Sequence, residues 1–168
     1  MKKLIMIIMA GAVMVSCQKS EMVSEFTGNE AVYSLLPASE FNVSGQVTFK
    51  ERKDGTTTVL VELSGTNGTQ KFPVHLHLGD IGTPDAEVAA LLTPLDAQTG
   101  KSETIVSALA DETILSYRDL LKLAACVKIH QDSYGPGRDV ILAAGNIGIN
   151  GSKVSPNGRQ SIGVCSSN

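Results

Sequence analysis

The feature that most constrains the fold of this chain is the alternation of apolar and polar residues with period two. Residues 43–49 place Val43, Val47 and Phe49 on one face and mostly polar side chains on the other. The alternation returns in residues 59–63 after an Asp54-Gly55 turn, which is typical of a β-hairpin. Residues 74–78 alternate again. Because segments of this kind bury one face only, the sequence predicts an all-β protein with antiparallel strands.

Further short elements are predicted along the chain, separated by Gly-rich and Pro-rich turns. We expect strands at residues 31–36, 104–109, 125–130 and 139–144, a helical turn at 117–122, and a short helix at 85–92 capped by Thr83. Many short strands with hairpin turns favour an antiparallel sandwich or barrel. No internal repeat and no second domain is visible in the sequence.

The charge and aromatic content exclude some classes of partner. Fourteen Lys and Arg residues against seventeen Asp and Glu residues give a formal charge of −3, so no basic stripe is available for nucleic acid. Aromatic residues make up 4% of the chain and Trp is absent. This composition speaks against a cage of aromatic side chains around a carbohydrate or a methyl-lysine.

The N-terminal residues have the composition of a bacterial lipoprotein signal. Lys2 and Lys3 precede an apolar stretch at residues 4–15, which is too short to span a membrane. Met14-Val15-Ser16-Cys17 resembles a lipobox, which implies cleavage before Cys17 and its lipidation. An ordinary signal cleaved nearby is the alternative. Residues 18–21 partly match the signal that sends some lipoproteins to the outer face, so we expect the bacterial cell envelope, at the outer membrane.

These observations divide the chain into three parts. Residues 1–16 are predicted to be the signal peptide, residues 17–38 a lipidated cysteine with a tether, and residues 39–168 the β-barrel domain. A first strand at residues 31–36 is expected within the tether. The membrane, through the lipid anchor at Cys17, is therefore one predicted partner of the protein.

The three histidines of the chain, at positions 75, 77 and 130, carry its clearest chemical signal. Because residues i and i+2 of a strand share a face, His75 and His77 project together while Val74 and Leu76 point to the core. His130 also points away from the core in its own strand. If the two strands are neighbours, three imidazoles converge on one ion, for which copper and zinc are the natural candidates. Alternatively, the histidines are polar residues on a solvated strand face.

Three segments follow one another in an informative order: VHLHLGD at residues 74–80, VKIH at 127–130 and GRDVILAAGNIG at 137–148. Over residues 41–149 the chain resembles the CHRD domain and, more remotely, copper/zinc superoxide dismutase. The resemblance implies an immunoglobulin-like Greek-key barrel. It also implies that His75, His77 and His130 fall where three copper ligands of the dismutase lie.

The sequence departs from the dismutase pattern at several positions. No histidine occurs at residues 78–129, where the bridging imidazole and the zinc ligands would lie. Ala144 replaces a disulfide cysteine, and Ile141 replaces the arginine that guides the anion, for which Arg138 is the nearest substitute. The resemblance therefore implies a non-enzymatic copper-binding or zinc-binding protein. A copper-only dismutase-like enzyme that uses Arg138, and a metal-free module for protein contacts, are the alternatives.

Two supporting roles are predicted from the residue types. Asp80 and Asp132 are candidates to orient the imidazoles by accepting ring N–H hydrogen bonds, although aspartate after a strand is also typical of turns. Once Cys17 is lipidated, Cys126 and Cys165 form an even pair in an oxidising compartment, which indicates a disulfide. The alternative is two separate thiols.

Overall fold

The computed structural model describes residues 24–84 and 86–151, which fold into one antiparallel β-sheet. The strands are β1 Phe26–Pro37, β2 Ser44–Arg52, β3 Thr57–Ser64, β4 Lys71–Leu78, β5 Val88–Asp96, β6 Lys101–Val106, β7 Ala124–His130 and β8 Ile141–Gly148. One helical turn, α1 Tyr117–Leu120, precedes β7, and a 3-10 turn, Pro136–Asp139, precedes β8. No helix in these ranges has the length and apolar character needed to cross a membrane.

The sheet closes on itself in the order β1-β2-β3-β6-β5-β4-β7-β8. The hairpin of β2 and β3 pairs without interruption, from Ser44 opposite Ser64 to Glu51 opposite Thr57. The β3–β4 and β6–β7 connections cross the barrel, which brings β7 beside β4 although β5 and β6 separate them in the chain. The predicted all-β class and the antiparallel barrel are therefore confirmed.

The inner face of the sheet supplies the main hydrophobic core. Alternate residues of each strand meet there, including Val47 and Phe49 of β2, Val74 and Leu76 of β4, and Val127 of β7, all at most 2% exposed. Burial of these apolar side chains in a close-packed core is the main force that closes such a barrel. It also fixes the register, because a slip of one residue would expose the core face.

A second, smaller layer covers part of the outer face of β7 and β8. Ile81, from the loop that follows β4, packs there with Cys126, Ile141 and Ala144. The loop is held down by Asn146 of β8, whose Oδ1 accepts a hydrogen bond from the Ile81 amide at 2.9 Å. This loop therefore buries outward-facing side chains that would otherwise meet solvent.

Several predicted elements are confirmed, and one is wrong. The strands at 104–109, 125–130 and 139–144 and the helical turn at 117–122 correspond to β6, β7, β8 and α1 within a few residues. Residues 88–92 of the helix expected at 85–92 belong instead to β5, which pairs with β4 from Val74 opposite Leu92 to His77 opposite Val88. Pairing with β4 outweighs the capping pattern at Thr83, because an apolar run of this length fits a strand as well as a helix.

The barrel also begins earlier than the sequence indicates. β1 starts at Phe26 and pairs with β2 and, through Leu36 and Pro37, with β8. The strand predicted at residues 31–36 is thus present, and it begins earlier, at Phe26, so that residues 26–37 form one wall of the barrel. Cys17, the signal segment and Cys165 lie outside the described residues, so lipidation and the disulfide of Cys126 with Cys165 stay predictions.

Candidate metal centre

β4 places two of the three histidines on the outside of the barrel wall. Val74 and Leu76 point into the core, so His75 and His77 point outward, as their spacing predicts. Although it faces outward, the His77 side chain is fully buried, and His75 is half-buried. The loop after β4 returns to this strand, where the Leu78 amide donates a hydrogen bond to the Glu87 carbonyl at 2.9 Å. This return brings the Ala86 carbonyl against the His77 ring.

The third histidine comes from the end of β7. β7 runs antiparallel to β4, with Val74 opposite Ile129 and His75 opposite Lys128, so His130 lies beside His75 on the same outer face. The ring centroids of His75 and His130 are 4.6 Å apart, and those of His77 lie 5.7 Å from His75 and 5.9 Å from His130. The structure therefore brings together the three histidines that the sequence predicts as one cluster.

The spacing of the ring nitrogens is compatible with one bound ion. One nitrogen from each ring lies within 4.8 Å of the others. An ion held at about 2.0–2.1 Å by three imidazoles requires nitrogen separations of about 3.3 Å, which lie within this limit. Within residues 24–84 and 86–151, no other group of three histidine, cysteine or carboxylate side chains is close enough to hold an ion.

Two main-chain carbonyls set the orientation of the buried rings. Nδ1 of His77 lies 2.7 Å from the carbonyl oxygen of Ala86, and Nδ1 of His130 lies 2.7 Å from that of Arg138. Since a carbonyl only accepts hydrogen bonds, each Nδ1 carries the proton and donates it. Each Nε2 then holds a lone pair, which is the form in which imidazole binds a metal.

The two Nε2 atoms have no partner in the described part of the chain. Both are buried, and neither makes a hydrogen bond within residues 24–84 and 86–151. Leaving a buried acceptor unsatisfied costs about 1–3 kcal/mol. Two such atoms beside a third imidazole therefore form a donor set that a metal ion could satisfy.

The environment keeps the three rings neutral. Burial, and to a smaller extent the neighbouring imidazoles of His130 and His77, lower the pKa of His75 from 6.5 to about 4. Burial also lowers the pKa of His77 to about 4, against the opposing effect of the Ala86 carbonyl. The pKa of His130 is lowered for the same main reason, partly offset by its bond to the Arg138 carbonyl. At neutral pH no proton has to leave a ring before an ion binds.

Two cations lie near the cluster. Lys128 is fully buried and, as the partner of His75 in the β4–β7 ladder, shares its face of the sheet. Its charge lowers the pKa of His77 and His130, and that of Arg138 lowers the pKa of His75 and His130. Arg138, the predicted catalytic residue, thus contributes its carbonyl to His130 and its charge to the surroundings of the cluster.

The carboxylates expected to orient the imidazoles do something else. Asp80 accepts hydrogen bonds from Nδ2 of Asn146 at 2.8 Å and from the Gly82 amide at 2.9 Å, so it braces the loop over the barrel. Asp132 is exposed and lies in the turn that leads to Gly137. The role that we predicted for these two side chains belongs to the carbonyls of Ala86 and Arg138. A main-chain oxygen has no signature in the sequence, which is why residue types alone did not reveal it.

Comparison with known proteins finds no significant match to this chain. No protein-family model matches the chain, and neither a curated protein nor a solved structure matches it significantly. The fold and the cluster together define an antiparallel β-barrel with a three-histidine site on its outer wall.

Proposed function

We propose that the barrel binds one copper or zinc ion through His75, His77 and His130 and that it does so as a lipid-anchored, non-enzymatic protein of the bacterial envelope. The observation that carries the proposal is the pair of buried, unpartnered Nε2 atoms of His77 and His130 beside a third imidazole. Carbonyls already fix the tautomer of both rings, so binding requires little reorganisation.

The donor set favours a borderline transition metal. An all-nitrogen site suits copper and zinc, whereas calcium and magnesium prefer oxygen ligands. His75 is only half-buried, so the site has access to solvent on the side where a water would complete the coordination. The described residues supply three side-chain ligands, which is the number that leaves such a position open in zinc enzymes.

The strand order supports the resemblance to CHRD domains. β4, β5 and β6 follow one another as neighbours, and β7 then returns to lie beside β4. This arrangement of three consecutive strands and a returning fourth is the pattern of a Greek key. It agrees with the immunoglobulin-like Greek-key barrel that the resemblance implies, in which the His-x-His strand and the later histidine strand are neighbours.

A copper-only dismutase-like enzyme is the second candidate, and the cations beside the cluster favour it. Lys128 and Arg138 both act on the histidines electrostatically, and positive charge near a metal attracts small anions. The binder and the enzyme differ in one respect: only the enzyme cycles the metal between oxidation states while it turns over superoxide.

The distinguishing experiment is to load the full-length protein with copper(II) and record its electron paramagnetic resonance spectrum together with its superoxide-consuming activity. We expect hyperfine structure from three nitrogens and no superoxide-consuming activity once unbound copper has been removed with a chelator. Arg138→Gln is the matched variant, because it removes the charge and keeps the main-chain carbonyl. Superoxide-consuming activity that decreases in Arg138→Gln would contradict the non-enzymatic proposal and support the dismutase-like enzyme. Absence of nitrogen hyperfine structure would contradict copper binding by the histidines and support a metal-free interaction module.

The membrane anchor is a separate proposal that rests on the lipobox Met14-Val15-Ser16-Cys17. It is tested by expression in a bacterium fed with labelled palmitate. The proposal expects label on the full-length protein and none on Cys17→Ser. Equal labelling of both proteins, or of neither, would contradict it.

A further inference from the structure

A cleft of about 170 Å³ opens in the surface of the barrel, and one of its lining residues, Gln131, directly follows His130 in the chain. It lies between the segment that joins β1 to β2, the β3–β4 turn and the residues that follow β7. We call it the amide cleft, after the residues that dominate its lining: Phe41, Phe72, Asn42, Asn67, Gln70 and Gln131. None of these residues takes part in the three-histidine cluster.

Two aromatic rings form the apolar part of the amide cleft. Phe72 of β4 is 6% exposed, whereas Phe41 is 43% exposed and leaves much of its surface open to solvent. The chain has four phenylalanines, and two of them line this one cleft. The exposed part of the Phe41 ring offers a flat apolar surface to a ligand.

Four residues that carry side-chain amides are among those that line the cleft. They are Asn42, Asn67, Gln70 and Gln131. None of the hydrogen bonds between described residues uses these amide groups, in contrast to Asn29 and Asn146, whose amides bind carboxylates. Each amide has two donor hydrogens and an acceptor oxygen. The four together can therefore bind groups that both donate and accept.

The amide cleft is electrically neutral. No Asp, Glu, Lys, Arg or His is among the described residues that line it. A charged ligand would enter without a counter-charge and would lose its hydration. The volume is below the range of about 300–1,000 Å³ typical of drug-sized ligands and suits a single ring.

We propose that the amide cleft binds one ring of a neutral saccharide. A single open ring, that of Phe41, packs against the C–H face of the sugar, which does not require the cage of aromatic side chains that the composition speaks against. The amides exchange hydrogen bonds with the hydroxyl groups of the sugar, each of which is donor and acceptor. A peptide is the less fitting occupant, because its backbone would extend beyond a cleft of this size. This proposal is independent of the metal site.

The test is an NMR chemical-shift titration of the isotope-labelled full-length protein. The probes are glucose, galactose, mannose and N-acetylglucosamine, each up to tens of millimolar, with glucuronate and a blocked dialanine peptide as comparisons. We expect at least one neutral sugar to shift the amide signals of Asn67, Gln70 and Gln131 with a millimolar dissociation constant. Glucuronate should bind no tighter than glucose, because the cleft has no cation.

Two variants and two controls make the assignment specific. Phe41→Ala and Gln131→Ala should each weaken sugar binding about tenfold. Tyr134→Ala removes an aromatic ring that is 83% exposed outside the cleft, and Asn29→Ala removes an amide at the opposite end of the barrel. Both controls, and the double variant His75→Ala, His77→Ala, should leave sugar binding unchanged.

Three results would overturn the saccharide proposal. The first is that no neutral sugar shifts these signals. The second is that glucuronate or the blocked peptide binds at least tenfold tighter than every neutral sugar. The third is that the controls weaken binding as much as Phe41→Ala. Since the cleft shares no residue with the histidine cluster, none of these results depends on whether the protein binds a metal.

Discussion

At the scale of single residues, the tautomers of two histidines decide what the cluster can do. The carbonyls of Ala86 and Arg138 hold Nδ1 of His77 and His130, which leaves both Nε2 atoms as bases. A buried base without a hydrogen-bond partner in the described chain is costly unless something binds it. The same burial keeps the rings neutral, so metal binding and stability are both linked to pH.

The first prediction concerns the pH dependence of stability in the metal-free protein. The pKa of His75 and His77 is about 4 in the folded protein and near 6.5 in the unfolded chain, so the unfolded chain takes up protons first as the pH falls. The free energy of unfolding should therefore decrease between pH 6.5 and pH 4, by about 1 kcal/mol for each of these histidines after allowance for solvent screening. Urea unfolding at several pH values with a chelator present measures it.

The matched variant for this measurement is His77→Leu, which keeps the bulk and removes one titrating group. Its stability should depend less steeply on pH over the same interval. Carboxylates with a lowered pKa, such as Glu51, Glu62 and Asp54, also lose their stabilising contribution below about pH 5, but they do so equally in both proteins, so the difference between the two proteins reports His77. Equal pH dependence in both proteins would refute the link between burial of His77 and stability.

At the scale of elements, the 3-10 turn Pro136–Asp139 positions the end of β7. Arg138 lies in this turn and holds the His130 ring through its carbonyl, while Pro136 stands at the start of the turn and fixes its backbone. The turn itself is held by the Val140 amide, which donates to the Gly137 carbonyl at 3.2 Å. The orientation of one candidate metal ligand, His130, is thus set by a turn whose contacting residue lies eight positions away in the chain.

The second prediction follows from this turn. Pro136→Gly should loosen the turn and weaken metal binding about tenfold, because partners of metal ligands typically contribute that much. Stability should fall by no more than about 1 kcal/mol, since the barrel strands are untouched. Metal titration and urea unfolding of the same sample measure both. Tyr134→Ala, an exposed change just before the turn, is the control, and an equal loss of affinity there would contradict the account.

The sequence predicts the site better than it predicts the elements around it. The i, i+2 spacing of His75 and His77 is a property of any strand, so their shared face follows from the pattern alone. That β7 lies beside β4 depends on two crossovers, and no local pattern reports it. The sequence predicts a helix where β5 begins, because the apolar run at the start of Val88–Asp96 has no clear period. Only the pairing of this segment with β4 determines that it is a strand.

At the scale of the whole molecule, β1 closes the barrel. It pairs with β2 along most of its length and with β8 at Leu36 and Pro37, so the sheet has no free edge strand. Gly145 of β8 permits this approach, because a side chain there would overlap the Ser34 carbonyl. The N-terminal strand is therefore a structural part of the domain that carries the histidines.

The third prediction tests the role of β1. Leu35 is completely buried and Leu36, the next residue, is 41% exposed. Leu35→Ala should lower the free energy of unfolding by about 3 kcal/mol, the typical cost of a core cavity. Leu36→Ala should lower it by less than about 1 kcal/mol. Urea unfolding of the two variants gives the comparison, and similar small effects would mean that β1 is a tether after all.

The measurement that tests the central claim most directly is an equilibrium titration of the full-length protein with copper(II) and, separately, with zinc. The account predicts one ion per chain, and an affinity at least about a hundredfold lower in His77→Ala and in His130→Ala. Asp80→Asn and Asp132→Asn should bind as the parent protein does, because carbonyls hold the rings. Failure of both metals to bind stoichiometrically, or undiminished binding in the histidine variants, would contradict the assignment of this cluster as a metal site.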